Sequence, residues 1–312
     1  MRQIWTFGSP LEHESFEWLD KVAEPLQKAF NSIFQAGNLG RTAKNWLNGV
    51  PLRHRMHPAF IIIPLGAWTT ATLLDILDTL SPKEDSRGYR ASADISVAFG
   101  LIGVLPAASA GIADWVDTYA HHRRVGMAHA LFNISAVALY ATSLGLRLAE
   151  QRTAARLSAG LGYVFVGLGS MLGGELVYNL GVNVPHLLYP KPPTKFVDVA
   201  ASLDLPEDQP IVVEVERVPV LLLRRSNQIF AVEAWCPHAG GPLQEGEFED
   251  DTVTCPWHGS RFCLADGKPL DGPATAPLRT FDVRERYGRI AVCPSYEGQE
   301  WPPAPAPPKR TH

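Results

Sequence analysis

Cys236-Pro237-His238-Ala239-Gly240-Gly241 and, after sixteen residues between His238 and Cys255, Cys255-Pro256-Trp257-His258-Gly259-Ser260 carry the strongest signal in this 312-residue chain. Each stretch puts a thiol and an imidazole in one short loop, and both groups are metal donors. Pro237 and Pro256 stiffen the loop tips. Gly240, Gly241 and Gly259 let the backbone close around whatever the donors hold. Two Cys and two His also suit tetrahedral zinc, but zinc fingers usually present a Cys pair followed by a His pair, whereas here Cys and His alternate.

Cys-x-His followed by Cys-x-x-His resembles the ligand loops of the Rieske [2Fe–2S] family. The resemblance implies that Cys236 and Cys255 hold one iron and His238 and His258 the other. Imidazole takes negative charge off the second iron, so such a cluster is easier to reduce than an all-Cys one. Quinol-oxidising members carry an extra Cys in each loop. Here Gly241 and Trp257 stand at or near those positions. Those members also carry Ser-x-Tyr after the second His, where this chain has Ser260-Arg261-Phe262. Ser260 can donate a hydrogen bond to sulfur; Phe262 cannot. Fewer donors mean a lower potential, so the resemblance implies a ferredoxin-like centre of moderately low potential. It would exchange single electrons through exposed edges of His238 and His258, with no catalytic residue of its own. An oxygenase component is excluded, because it needs a mononuclear iron with two His and a carboxylate, and only His312 follows Cys263. No Gly-x-Gly-x-x-Gly fingerprint links a strand to a helix, so NAD or FAD binding is not expected. Cys263 and Cys293 are too few for a disulfide framework.

The net charge of −4 gives no nucleic-acid signature. The hydrophobic content is unevenly spread. Residues 196–295 read as short β-type runs with turn residues between them, an all-β Rieske domain. Residues 51–186 contain four apolar runs, about Pro58–Leu74, Ile95–Val116, Met127–Leu146 and Leu157–Val182. Each is near the length that crosses a bilayer. A soluble helical domain is the alternative, but charges fall mainly in the gaps. Residues 1–50 form a lead in which Phe16, Leu19, Leu26, Phe30 and Ile33 recur at helical spacing, with Pro25 expected to kink or divide the helix. A Pro-rich linker is expected over 187–195 and a Pro-rich, disordered tail over 296–312. The fold class expected is therefore a multidomain membrane protein, a four-helix transmembrane bundle followed by an all-β domain.

His57-Pro58-Ala59-Phe60, Gly111-Ile112-Ala113-Asp114-Trp115, His129 with Asn133, and Gly173-Gly174-Glu175-Leu176-Val177-Tyr178 resemble DUF2231, a family of four-helix membrane domains that supplies no mechanism. Following the spans back and forth brings His57, Asp114, His129 and Glu175 to one half of the bilayer. Ionisable groups there suggest a site. Three readings stand: His57 and His129 as axial ligands of a haem b, all four as ligands of another metal ion, or polar contacts that glue the bundle. Quinone binding near His129 or Tyr178 is compatible with each. Asp75 and Asp78 are expected to cap span one at the interface.

More Lys and Arg lie on the side of the termini, which places the Rieske domain in the cytoplasm of a multi-pass protein of the cell (inner) membrane. The absence of a signal peptide agrees. The function expected is a membrane-anchored electron carrier. It would link a soluble ferredoxin or flavin reductase, or an oxygenase, to a haem, a quinone or a partner enzyme in the bilayer. The alternative is a redox sensor or binding module that the spans only anchor.

Overall fold

The computed structural model describes residues 9–82, 86–184, 195–226 and 228–294. The expected tail, and the linker apart from Lys195, lie outside the described residues. The chain divides into a helical unit and a β unit, each described by itself.

The helical unit begins with α1 (Trp18–Phe34) and α2 (Gly37–Asn48). Pro25 sits inside α1 without dividing it. The buried face of α1 is Leu19, Ala23, Gln27 and Phe34; of the expected stripe, Leu19 is buried and Phe16 and Phe30 pack against apolar clusters, whereas Leu26 and Ile33 are exposed. Gln27 explains the difference. Its Nε2 donates to the carbonyls of Trp115 (2.9 Å) and Thr118 (3.0 Å), which satisfies acceptors left over at a helix end. A polar residue therefore takes an inward position.

Four long helices follow: α3 (Met56–Leu80), α4 (Ser86–Trp115), α5 (Ala120–Leu148) and α6 (Arg152–Gly174), the last continuing as a π turn over Glu175–Asn179. Among the described residues these are the four helices long and apolar enough to cross a membrane. They run beyond the expected apolar limits because the charged residues at one end pair with one another. Arg147 Nη1 donates to Asp75 Oδ1 and Asp94 Oδ1, both at 3.0 Å. Arg152 Nη2 donates to Asp94 Oδ2 at 2.9 Å, Arg90 Nε to both oxygens of Asp78 at 3.1 Å, and Arg156 pairs with Asp78. Asp75, Asp78 and Arg147 are buried. The two aspartates are thus members of an internal ion-pair network rather than interfacial caps, and burial of charge is tolerable because each has a partner.

The bundle is built from two equivalent hairpins, α3–α4 and α5–α6. One constant sequence interval separates His57 from His129, Trp68 from Tyr140 and Asp75 from Arg147. Each residue meets its own counterpart. The His57 and His129 rings lie 6.5 Å apart, Trp68 and Tyr140 stack at 4.0 Å with an 8° interplanar angle, and Asp75 pairs with Arg147. A second constant interval relates α4 to α6. Gly100 leaves room for the Trp68 ring and Gly162 for the Tyr140 ring, since an added Cβ would lie 2.3 and 3.1 Å from them. The spans thus follow a two-fold repeat with α3 and α5 across its axis. Both hairpins run in the same sense, the arrangement that parallel membrane repeats adopt about an axis along the bilayer normal.

The β unit holds three antiparallel sheets: β1 (Val197–Ala201), β10 (Arg289–Pro294) and β9 (Phe281–Arg286) in that order; β2 (Ile211–Val215), β3 (Val218–Arg225) and β4 (Gln228–Glu233); and β5 (Glu247–Glu249), β6 (Thr252–Thr254), β7 (Arg261–Cys263) and β8 (Pro269–Asp271). Leu221 and Leu223 face one core, with Cys236, Leu243, Cys255, Phe262 and Leu278. Leu222, Val220 and Val218 face the other, with Phe281, Ile290 and Val292. That β3 alternates between two cores explains its uninterrupted apolar run.

Candidate metal centre

The two Cys/His stretches form two loops with the same backbone plan. The first joins β4 to β5, and the second joins β6 to β7. In the first, Cys236 N–H donates to Gly241 O and Gly240 N–H to Cys236 O, both at 2.8 Å. In the second, Cys255 N–H donates to Ser260 O at 2.8 Å and Gly259 N–H to Cys255 O at 3.1 Å. Gly240 and Gly259 have φ of 74° and 71°, where a side chain is strained.

These matching turns aim the four donors at one another. Cys236 and Cys255 are buried, and their thiols share a hydrogen bond. That bond holds the Cys255 thiol down at about 7, aided by the N–H groups of Trp257 and His258. The same contact, together with burial, pushes Cys236 well up, against the N–H groups of His238 and Ala239. Each sulfur therefore lies in a small nest of backbone donors, which favours thiolate. The His238 and His258 rings meet edge to face at 4.9 Å. His238 is buried and only His258 is half-exposed, so the expectation of two exposed imidazole edges is corrected to one.

The expected flanking residues take different parts. A Cβ on Gly241 would lie 2.8 Å from Cys255 Sγ and 3.2 Å from the Trp257 ring, so glycine is the residue that lets the loops approach. Trp257 covers that glycine and is half exposed. Ser260 is fully buried, and its Oγ accepts the Ala274 N–H at 3.0 Å, leaving its own proton to give. Phe262 is fully buried in the core that contains both cysteines. The segment Gly272–Thr275, which sequence reading passed over, thus backs the second loop; its Gly-Pro dipeptide was the available signal. Cys263, on β7, shares a hydrogen bond with Asp266.

The residues fit a [2Fe–2S] cluster. Two thiols and two imidazoles converge as two pairs, and the close loop approach leaves no room for a side chain at Gly241.

In the helical unit the four expected donors do not assemble into one group. His57 and His129 face each other. Asp114 is engaged by Arg55 at 3.1 Å, and Glu175 accepts from Asn179 at 2.7 Å. Tyr178 is largely exposed.

Residues 195–282 match the family described as Rieske [2Fe-2S] domain, and residues 53–186 match that described as predicted membrane protein (DUF2231). Over 86 residues, 27% of this chain and 82% of the relative, the sequence is 41% identical to the 3-phenylpropionate/cinnamic acid dioxygenase ferredoxin subunit of Photorhabdus laumondii. Over 78 residues, 25% of this chain and 73% of the relative, it is 35% identical to ferredoxin CarAc of Metapseudomonas resinovorans. Among solved structures, the ferredoxin of carbazole 1,9a-dioxygenase from Nocardioides aromaticivorans shares 29% identity and a TM-score of 0.31, covering 32% of this chain and 99% of its own. On its matching family model and its sequence identity to the two ferredoxins, the chain belongs to the Rieske [2Fe–2S] family of electron-transfer proteins, joined here to a DUF2231 helical domain.

Proposed function

We propose that the chain is a membrane-anchored one-electron carrier whose cluster is held by Cys236 and Cys255 on one iron and by His238 and His258 on the other. The convergence of two thiols and two imidazoles from two equivalent loops carries this reading. When bound there, the cluster takes up and gives up single electrons. The backbone donors at His238, Ala239, Trp257 and His258 stabilise negative charge on the thiolates, and Ser260 adds a hydroxyl next to the second loop. Burial of the cysteines and of His238 keeps water away. Electrons then enter and leave beside half-exposed His258, with Pro256 and Trp257 forming the exposed docking face. The relatives are named as ferredoxin subunits of dioxygenases, which supports an oxygenase or its reductase as the soluble partner. Four apolar helices support an anchor in the cell membrane, and the Lys and Arg bias favours the cytoplasmic side for the Rieske domain. The membrane half would serve a haem, a quinone or a partner enzyme.

The test is an EPR spectrum of the detergent-purified, dithionite-reduced protein. A Rieske signal that vanishes in His238→Ala is expected. A stoichiometric zinc content with no such signal would overturn the assignment.

A further inference from the structure

We infer that the bundle holds a b-type haem on its two-fold axis, with His57 and His129 as the two axial ligands. This deepens the proposed electron path and rests on that reading for its purpose, though its geometry stands by itself.

Both imidazoles are locked in the same tautomer by the same device. His57 Nδ1 lies 2.9 Å from Ala107 O on α4, and His129 Nδ1 lies 2.7 Å from Gly169 O on α6. A carbonyl can only accept, so each Nδ1 carries the proton and each Nε2 keeps its lone pair. A backbone carbonyl on the far nitrogen is how proteins orient a ligating histidine and raise its basicity. Ala107 and Gly169 are equivalent positions of the two hairpins, as are Gly111 and Gly173. Those glycines stand against the Cε1–Nδ1 edges of the two rings, where an added Cβ would lie a tight 3.0 and 3.2 Å from Cε1. Each ring is thus fixed by its own hairpin, with its Nε2 edge turned away from that hairpin's second helix.

The separation suits one metal between the rings. With metal–nitrogen bonds of about 2 Å and a ring radius of about 1.1 Å, two imidazoles on opposite sides of a metal have centroids about 6.3 Å apart. The observed value is 6.5 Å, with ring planes at 81°. Asn133 Nδ2 donates to His129 O at 2.8 Å. It stands nearly equidistant from the two ring nitrogens, at 3.4 and 3.2 Å. An atom in line with the Nε2 lone pair would be much farther from Nδ1, so Asn133 does not occupy the ligand direction.

The identity of the metal group follows from what is missing around it. Bare divalent ions take three or more protein donors, and among the described residues no third His, Cys, Asp or Glu joins this pair. Haem brings four of the six iron ligands and asks the protein for two. Helices pack closely within each hairpin and much more sparsely between hairpins, which is the seam a flat macrocycle would enter. A bundle core between facing helices is a usual cofactor position.

The full-length protein, purified in detergent and titrated with hemin, tests this. One haem per chain is expected, with a low-spin Soret and α band. Each of His57→Ala and His129→Ala should lose that spectrum while keeping the Rieske EPR signal, and added imidazole should restore it in both. Imidazole rescue separates a lost ligand from a lost fold. A wild type with an intact Rieske signal that takes up no haem would overturn the inference. So would a low-spin haem that survives both substitutions, or stoichiometric copper in its place. Failure of the cluster assignment is read separately, as a haem-loaded protein without the Rieske signal.

Discussion

Gly240 and Gly241 are neighbours with different reasons to be glycine. Gly240 has a φ of 74° with open space where a Cβ would stand, so Gly240→Ala meets only backbone strain of about 1 to 2 kcal/mol. Gly241 has no room, because an added Cβ would lie 2.8 Å from Cys255 Sγ. Gly240→Ala should therefore lower the melting temperature and keep iron and sulfide near two each per chain, whereas Gly241→Ala should sharply reduce both; equal iron contents would refute the distinction. Ser260 offers a second residue-level test. Removing its Oγ leaves the buried Ala274 N–H without its acceptor, a loss of about 1 to 3 kcal/mol. If the hydroxyl proton reaches sulfur, Ser260→Ala also lowers the midpoint potential, read by EPR-monitored redox titration; Ser260→Thr should retain most of both. The pairing of a thiol and an imidazole in each loop stood out in the sequence, because both lie within two short stretches, and their roles followed from the resemblance to the Rieske family. The backbone donors to sulfur, and the Ala274 contact, were not legible there, because they depend on loop conformation and on a segment distant in sequence.

At the scale of the helices, the apolar runs announced four spans, but not their ends. A window of hydropathy stops at a charge. The helices do not, because Asp75, Asp78 and Asp94 find arginines on other helices. Asp75→Ala leaves Arg147 only Asp94, at 3.0 Å, and Arg147→Ala leaves Asp75 only Arg156, at 3.9 Å, so each should cost less than the about 3 to 5 kcal/mol of a wholly stranded buried charge. The double replacement Asp75→Leu/Arg147→Met should cost much less than the sum, and unfolding in denaturant-titrated detergent micelles would show it. Additive losses would mean that the pair is not coupled. The inward face of α1 was legible at Leu19 and Phe30, and just before it at Phe16, but not at Gln27, which holds its buried place through the carbonyls of Trp115 and Thr118. The internal repeat was legible only as His-x-x-Phe at 57–60 and 129–132 and as matched glycines in α4 and α6. Elsewhere the two copies have diverged to residues that complement one another instead of repeating.

For the whole molecule, the two units answer to different solvents. The β unit carries its own cores and both Cys/His loops. Residues 195–294 expressed alone should give a soluble protein with the Rieske EPR signal, while the full chain should sediment with membranes and resist extraction by alkaline carbonate. A full chain released by carbonate would argue against spanning helices. The two-fold repeat has one more consequence. Along its axis the counterparts are alike at His57 and His129 but opposite at Asp75 and Arg147. Two copies of the first hairpin would set aspartate against aspartate, and two copies of the second arginine against arginine, at a buried position where like charges repel more strongly than in water. Only unlike halves would bring opposite charges together at that position, so the pair favours union of the two different hairpins over two copies of one.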